Sequence, residues 1–379
     1  MVRILKSEKG MALAMALGAL VIIGVLVAGA VWAGTQDYRI AANTVRQTGA
    51  EATAELGMNR LLATWQTSWN NGKPIGDTLR RTYTMSYGGT AVVTATRLPN
   101  NFWWVASEGQ TAGAAASSAR RRYGTLWRLN VPDMTLLGAI TTQGTIKVTG
   151  NVTVNGNDST PPGWPACGSP TNVAGAAISP TTTASVNGSA TVNGNPPVLT
   201  TSAAGDSNTY FNYGVTNYQT LAAAATLTIP GGTTLTGIGP VVSSGQCSTT
   251  PQTNWGDPNR ALAPLPPGPC ESYFPIIHVT GDLHVSTGSG QGILLVDGSL
   301  VASGTFTFTG VVIARGSLQS TGNGNKFIGS VMAAGVNVSD NSLIAGSSGI
   351  HYSCAAVTQV LSSTAYPKQA MQRGWVDLY

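Results

Sequence analysis

The chain has 379 residues, enough to bury a sizeable core and to form more than one module. Only 9% of the residues are charged, whereas 42% are hydrophobic and 47 are glycine, a composition typical of an exported β-rich protein and not of a disordered chain. The formal net charge of +5 comes from scattered basic residues without a recognition motif, so we expect no nucleic-acid partner.

An uncharged apolar segment covers residues 11–33. As a helix it would be about 34 Å long, against a hydrocarbon core of roughly 30 Å, so it predicts a transmembrane segment. Arg3, Lys6 and Lys9 precede it, and the positive-inside rule places that end in the cytoplasm and the rest of the chain outside. A cleaved signal peptide is the alternative, because Ala28-Gly29-Ala30 is similar to a cleavage site, but the apolar run is longer than the usual hydrophobic region of a signal peptide.

Residues 34–70 predict an amphipathic continuation of the same helix. No proline interrupts Thr35 to Trp69, and Asn70 to Pro74 contains residue types that end helices. Apolar residues recur at helical intervals and form a predicted apolar stripe, which consists of Ala41, Val45, Ala52, Leu56 and Ala63. The two segments together predict one long helix.

The N-terminal layout resembles that of type IV prepilins: a short basic leader, residues 1–10, ends in Gly10 and is followed by an apolar run and a long helix. The segment from Ala50 to Leu62 is similar to the helix end of PilX-type minor pilins. This resemblance implies that a prepilin peptidase cuts after Gly10, which makes Met11 the first mature residue and a candidate for N-methylation. It also implies other pilin or pseudopilin subunits as partners, anchoring in the inner membrane, and a C-terminal region in the periplasm or at the cell surface.

The chain departs from the pilin pattern at the fifth mature position. Most pilins carry glutamate there, where it neutralises a neighbour's terminal amine inside the membrane, whereas this chain has Met15. The difference favours a minor, priming or tip subunit over a major filament-forming one. It leaves open whether the subunit enters the filament.

Residues 71–133 predict a small antiparallel module like the head of a pilin. The β-prone runs are Thr82–Tyr87, Thr90–Arg97, Phe102–Val105 and Tyr123–Leu129, and Gly88-Gly89 separates the first two. The triplet Arg120-Arg121-Arg122 suits an acidic surface polymer or DNA, but a solvated strand edge is the favoured interpretation because edge strands prefer charge.

A six-residue glycine repeat marks the C-terminal third of the chain. It comprises Gly292, Gly298, Gly304, Gly310, Gly316 and Gly322, and it resumes after a one-residue slip at Gly329 and Gly335. The second and fourth residues after the glycines tend to be apolar or small, which is typical of one face of a strand. Three hexads, about 18 residues, would form one rung, and each rung would stack on the one before it.

This repeat predicts the columns Ile277–Leu294–Val312–Val331 and Leu283–Leu300–Leu318 and places Phe306 and Phe308 inside. The predicted fold is therefore α+β: a transmembrane-plus-amphipathic helix, a small antiparallel sheet and a C-terminal parallel β-helix, or β-solenoid. The solenoid is assigned to residues 134–360, with irregular loops at 157–270 where prolines interrupt the pattern, and residues 361–379 form a tail.

Four cysteines, Cys167, Cys247, Cys270 and Cys354, lack the spacing of a zinc site. Export favours disulfides, and four cysteines allow three pairings. Cys247 with Cys270 is the preferred pair because the two residues flank one proline-rich loop, and four buried thiols are the alternative.

Enzymatic interpretations find little support in the motifs. Hexapeptide acyltransferases place an aliphatic residue before each glycine, whereas this chain has Asp297, Ser303 and Thr309 there. β-Helical lyases and hydrolases need clustered carboxylates, and the chain has 15 acidic residues in all. Asp297 and Arg315 occupy equivalent places on successive rungs, which predicts a surface ion pair.

His278, Asp282 and His284 share strand parity and present a weak metal set, for which ordinary surface polarity is the favoured interpretation. We therefore expect no catalytic residue, cofactor or metal site.

The leading hypothesis is a minor pilin-like structural subunit of a type IV pilus or a type II secretion pseudopilus. It would display the solenoid outside the membrane for assembly, priming or surface adhesion, with surface glycans as a further possible partner. The alternative is a membrane-anchored β-helical protein that binds carbohydrate or degrades polysaccharide.

Overall fold

The computed structural model describes residues 11–67, 69–70, 74–113, 118–169, 171–261, 265–333, 342–344, 347–370 and 375–378. The helices are α1 (Met11–Ala63), α2 (Ser202–Gly205), α3 (Ser207–Phe211), α4 (Tyr218–Ala223) and α5 (Cys354–Thr364).

The strands of the antiparallel sheet are β1 (Thr78–Thr84), β2 (Thr90–Arg97), β3 (Phe102–Gln110), β4 (Arg120–Asn130), β25 (Tyr366–Gln369) and β26 (Trp375–Asp377). Between β4 and β25 the chain forms β5 (Gly138–Thr142), β6 (Ile146–Thr149), β7 (Thr153–Asn155), β8 (Ala174–Ile178), β9 (Ala184–Asn187), β10 (Thr191–Asn193), β11 (Val198–Thr200), β12 (Asn212–Tyr213), β13 (Thr216–Asn217), β14 (Leu227–Ile229), β15 (Thr233–Leu235), β16 (Val242–Ser243) and β17 (Gln246–Cys247). These are followed by β18 (Ile276–Val279), β19 (Leu283–Val296), β20 (Leu300–Ala314), β21 (Leu318–Ser320), β22 (Asn323–Ala333), β23 (Ser342–Ile344) and β24 (Ser347–Tyr352).

Helix α1 is continuous from the apolar segment into the amphipathic one, and it ends at Ala63, before the predicted stop at Asn70. Its segment Leu13–Ala63 is long and apolar enough to cross a membrane, with a mean hydropathy of 2.6 in its most apolar window and none of that window buried. The backbone N–H of Thr64 still donates to the Arg60 carbonyl at 3.0 Å, after which the chain turns toward the sheet.

The helix face that packs on the antiparallel sheet differs from the predicted stripe. Ala50, Ala54, Met58 and Leu61 are fully buried against the sheet, whereas Leu56 of the stripe is 44% exposed. Small residues allow this face of α1 to approach the sheet closely. The helix backbone at Ala50 and Ala54 lies so close to Gly109 of β3 that a Cβ at Gly109 would clash with that backbone. Ala52, Leu56 and Ala63 of the predicted apolar stripe are exposed, so the stripe is not the face that packs on the sheet.

The antiparallel sheet has the order β1-β2-β3-β4-β25, and β26 also pairs with β4. The predicted hairpin is present, although β1 begins earlier than expected, at Thr78, and pairs with β2. The described residues of the predicted tail, 361–370 and 375–378, are not separate from the rest of the fold: α5 continues to Thr364, Tyr366 pairs with Asn130, and Asp377 pairs with Tyr123. The C-terminal strands β25 and β26 pair with the edge of β4 that does not pair with β3.

The large sheet is parallel, and its register contains both predicted columns. Ile277 pairs with Leu294, Leu294 with Val312, and Val312 with Val331. In the second column, Leu283 pairs with Leu300 and Leu300 with Leu318. Phe306 and Phe308 are buried as predicted, and they contact Trp255 in one aromatic cluster.

The order of strands in this sheet differs from their order in the chain. Strands β5, β6 and β7 pair with β22, β23 and β24, so that Val331 lies beside Ile140 and Ile350 beside Val154. The segment 157–270, which the sequence analysis assigned to the solenoid with irregular loops, contributes ladder strands to the sheet: β8, β9 and β10 pair with β5, β6 and β7. From the same segment, β14 and β15 pair with β18 and β19 at the other end of the sheet.

Three glycines of the repeat stack directly on one another. Gly292 pairs with Gly310, and Gly310 with Gly329, with φ values of 118°, 141° and 130°. A Cβ at Gly310 would meet the carbonyl oxygen of Gly292, and one at Gly329 would meet that of Gly310. These positions therefore need glycine both for the positive φ and for the close approach of neighbouring strands.

Candidate functional sites

The first candidate site is the exposed apolar surface of α1. Side chains from Leu13 to Val45 are largely exposed, including Met15 at the fifth position after Gly10 and Val45 at 72%. An apolar surface of this length is stable only in lipid or against other apolar helices. Gly10 lies outside the described residues, so its predicted processing remains a prediction.

The second site is a junction at Asn70, which the sequence analysis did not identify. Its buried amide nitrogen donates to the carbonyl oxygens of Ser362, Ser363 and Ala365 at 3.0, 3.1 and 2.6 Å. Its amide oxygen accepts a hydrogen bond from the Trp65 indole nitrogen at 2.8 Å. One side chain thus satisfies the carbonyl groups at the end of α5 and joins them to the segment that follows α1.

Two disulfides join the four cysteines. Cys247 pairs with Cys270, the preferred pairing, with a Cα–Cα distance of 4.9 Å. Cys167 pairs with Cys354, the first residue of α5, at 5.7 Å. The second bond crosses 187 residues and fastens the loop after β7 to α5.

A buried carboxylate organises the proline-rich loop beside the first disulfide. Oε1 of Glu271 accepts hydrogen bonds from the backbone N–H groups of Ala261 at 2.9 Å and Gly268 at 2.7 Å. These two donors lie at opposite ends of the loop, so that the carboxylate closes its base.

Asp297 is the centre of the most elaborate polar cluster on the parallel sheet. Its carboxylate accepts a hydrogen bond from the Tyr218 hydroxyl at 2.9 Å, contacts His278 Nε2 at 3.0 Å and contacts the Arg315 guanidinium at 3.8 Å. Burial, and then the charge of Asp297, raise the pKa of Tyr218, so the tyrosine remains a neutral donor. The predicted pair of Asp297 with Arg315 is present, and these contacts leave the carboxylate engaged on several sides.

The residues of the suspected metal set separate in the structure. His278 contacts Asp297, whereas His284 Nε2 lies 2.8 Å from the Ser303 hydroxyl and Asp282 accepts from the Ser299 N–H at 2.7 Å. Within the described residues, no group of three or more His, Cys, Asp or Glu side chains is arranged to hold a metal ion.

The arginine triplet begins strand β4, and Arg120 and Arg122 are exposed, which agrees with the interpretation as a solvated strand edge. The three arginines pair with Glu108 to Gln110 of β3 on one side, whereas on the other side the described pairing of β26 covers only Tyr123 to Thr125 of β4. Arg120 lies 3.7 Å from Glu108, and Arg121 lies 3.6 Å from Asp377. The acidic neighbours compensate these charges across adjacent strands, which weakens the case for an anionic polymer.

Comparisons with known proteins include a similarity to a solved structure. The chain is similar to the competence-associated pilin ComZ from Thermus thermophilus, with 13% sequence identity, a TM-score of 0.23, and coverage of 88% of this chain and 97% of that chain. A TM-score this low does not establish a common fold, and we base no functional conclusion on it. No protein-family model matches the chain, and no curated protein matches it.

Proposed function

We propose that the chain is a pilin-like structural subunit of a type IV pilus or a type II secretion pseudopilus. The observation that carries this proposal is that the two parts of α1 have different surroundings. Its last part packs on an antiparallel sheet through Ala50, Ala54, Met58 and Leu61, while its first part offers an exposed apolar surface. A subunit that inserts this helix first into the inner membrane and then among the helices of its neighbours would use both parts.

Within this class we propose a minor subunit of the PilX type with a priming or tip role. The support is the segment from Ala50 to Leu62 together with Met15 at the position where most pilins carry glutamate. Without that carboxylate, a neighbour's terminal amine in the membrane would lack its partner, and a buried unpaired charge is costly. Such a subunit fits best at the end of an assembly, where few neighbouring subunits have terminal amines that need a carboxylate partner.

We infer that the parallel sheet is a β-solenoid that the anchor displays outside the membrane. Leu294 pairs with Val312 and Val312 with Val331, which are 18 and 19 residues apart by number (312 − 294 and 331 − 312), close to three hexads. Each such rung buries its inner face only against its neighbours, which gives a rigid body suited to presenting a surface.

We also propose that the chain is not an enzyme. Its most developed polar cluster, around Asp297, is engaged with His278, Tyr218 and Arg315, and the sites on β4 consist of paired charges. Function would then come from assembly and surface contact.

Mass spectrometry of the N-terminus of the membrane-bound protein tests the proposal. We expect the mature chain to begin at Met11 and to remain in the membrane, and we expect Gly10→Val to retain residues 1–10. Gly18→Val is the matched control, because Gly18 has no neighbouring atom within 4 Å of an added Cβ and should leave processing unchanged. A mature N-terminus near Val31 or Gly34 would show a cleaved signal peptide and overturn the pilin interpretation.

A further inference from the structure

A cleft of about 240 Å³ opens on the outer side of the parallel sheet. Its floor consists of Thr307 and Thr309 from β20 and Ile328 from β22, and Thr309 pairs directly with Ile328. Its walls are two loops from remote parts of the chain, 161–162 and 258–260, which include three prolines. We call this feature the threonine cleft.

The walls of the threonine cleft are held in place by a stacked core beneath them. The indole nitrogen of Trp164 donates to the Pro258 carbonyl at 3.0 Å, which ties the two loops together. The guanidinium of Arg260 lies 4.3 Å from the Trp164 ring centroid and 5.3 Å from that of Phe274. Because the wall residues are fixed in this way, the cleft is formed before any ligand arrives.

The cleft combines hydrogen-bonding groups with apolar surface. The hydroxyl of the half-buried Thr307 can both donate and accept, whereas Thr309 is only 2% exposed. The guanidinium of Arg260 and the amide of Asn259, whose Nδ2 also donates to the Ser289 hydroxyl at 3.4 Å, complete the polar lining. Arg260 Nη2 donates to the Glu271 carbonyl at 3.4 Å, and among the described residues its Nε has no hydrogen-bond partner. The proline rings and Ile328 supply the apolar part.

The electrostatic surroundings of Arg260 argue against an anionic ligand. Burial lowers the pKa of Arg260, and the negative charges of Glu271 and Asp257 act in the opposite direction, so both carboxylates lie near the guanidinium. The positive charge is therefore already compensated within the protein, and a ligand need not bring a charge of its own.

We propose that the threonine cleft binds one neutral pyranose unit of a surface glycan. A pyranose has hydroxyls around its rim, which suit the threonine, asparagine and arginine groups, and C–H faces, which suit the proline rings and Ile328. The cleft is smaller than the roughly 300–1,000 Å³ of pockets that enclose drug-sized ligands, so it admits a single small unit. The rest of a polysaccharide would continue along the outside of the sheet.

This inference rests on the proposed display of the parallel sheet outside the membrane, but its test does not depend on processing or assembly. Saturation-transfer NMR is measured on the full-length protein, purified in a detergent without a sugar head group. The probes are methyl pyranosides of glucose, galactose, mannose, N-acetylglucosamine and N-acetylgalactosamine. We expect saturation transfer to at least one of them, and roughly three- to tenfold weaker binding of that sugar by Thr307→Val, because one neutral hydrogen bond is lost.

Thr305→Val is the matched control. Thr305 also points outward from β20, two residues away, but it does not line the cleft, and we expect the binding of the same sugar to be unchanged. Valine suits a strand as well as threonine does, so both variants should fold. Absence of saturation transfer to every one of these pyranosides, or equal binding by the wild type and Thr307→Val, would each overturn the assignment. Because these results do not involve Gly10, they are independent of the N-terminal mass measurement.

Discussion

Burial alternates residue by residue along the middle of β20. Phe306 and Phe308 are fully buried, whereas Thr305 is exposed and Thr307 is half-buried on the opposite face. The two phenylalanine rings lie 6.3 Å apart between centroids, and Phe306 also contacts Phe327 on the next strand. Because side chains alternate between the two faces of a strand, a shift of one residue would exchange the buried phenylalanines for threonines.

Phe306→Ala should therefore destabilise the protein strongly. Truncation of a buried phenylalanine leaves a cavity and costs about 3–5 kcal/mol of unfolding free energy, whereas Thr305→Ala should cost within about 0.5 kcal/mol. Denaturant titration of the full-length protein in detergent, followed by tryptophan fluorescence, measures both. If the threonine change were the more damaging one, the six-residue frame would be wrong.

A second prediction at this scale concerns Asn70. Asn70→Ala removes the partner of the Trp65 indole and of three carbonyl groups near the end of α5, and these groups are left buried or partly buried. Unsatisfied buried polar groups are expensive, so we expect a loss of about 2–4 kcal/mol in unfolding free energy. Asn151→Ala, at an exposed turn, is the control and should change it by less than about 0.5 kcal/mol. Equal stability of the two variants would show that the junction contributes nothing.

At the scale of elements, the segment from α2 to α4 covers part of the outer side of the parallel sheet. Helix α2 contacts β5 and β8, and α4 contacts β18. The segment therefore extends across the sheet from strands β5 and β8 to strand β18. It contains the buried tyrosines Tyr210, Tyr213 and Tyr218, and the Tyr210 hydroxyl donates to the Ala204 carbonyl at 2.7 Å.

These tyrosines predict a loss of stability in alkaline solution. Burial raises the pKa of Tyr210, Tyr213 and Tyr218 above the usual value of about 10, so the folded protein retains protons that the unfolded chain releases. The stabilisation is complete below the unfolded pKa and is lost as the pH rises above about 10. Circular dichroism melts at increasing pH should show a falling melting temperature, and Tyr210→Phe should make the fall shallower. A melting temperature that does not change above pH 10 would contradict this.

The elements differ in how far the sequence predicts them. The columns through Leu294 and Leu300 were predictable because strand parity and a fixed period are local properties of the sequence. The pairing of β5 with β22 was not, because it depends on where the chain goes between residues 155 and 276, and proline-rich stretches there conceal the ladder strands. The face of α1 that packs on the sheet was also not predictable, because hydropathy does not distinguish apolar residues that face a sheet from those that face lipid.

At the scale of the whole molecule, the functional features join segments that are distant in sequence. The threonine cleft combines residues near 161, 259, 307 and 328, and the Asn70 junction connects residues 65–70 with 362–365. Sequence patterns predicted the disulfide Cys247–Cys270 and the pair of Asp297 with Arg315, because both pairs are close in the chain or in the repeat, whereas Cys167–Cys354, 187 residues apart, was not the preferred pair. No local pattern indicates the cleft, because it exists only after the loops fold over the sheet.

The two disulfides should contribute unequally to the stability of the whole molecule. In the chain-entropy model, a cross-link stabilises by restricting the unfolded chain, and the effect grows with the length of the closed loop. With sequence separations of 187 and 23 residues, Cys167–Cys354 should contribute about 5 kcal/mol and Cys247–Cys270 about 3 kcal/mol.

Thiol counting on unreduced, denatured protein should find no free cysteine. The paired replacement Cys167→Ser with Cys354→Ser should then lower the unfolding free energy more than Cys247→Ser with Cys270→Ser, as measured by denaturant titration. Four free thiols would refute both bonds. A larger loss from the pair that closes the shorter loop would show that the disulfides act by holding the folded loops in place and not by restricting the unfolded chain.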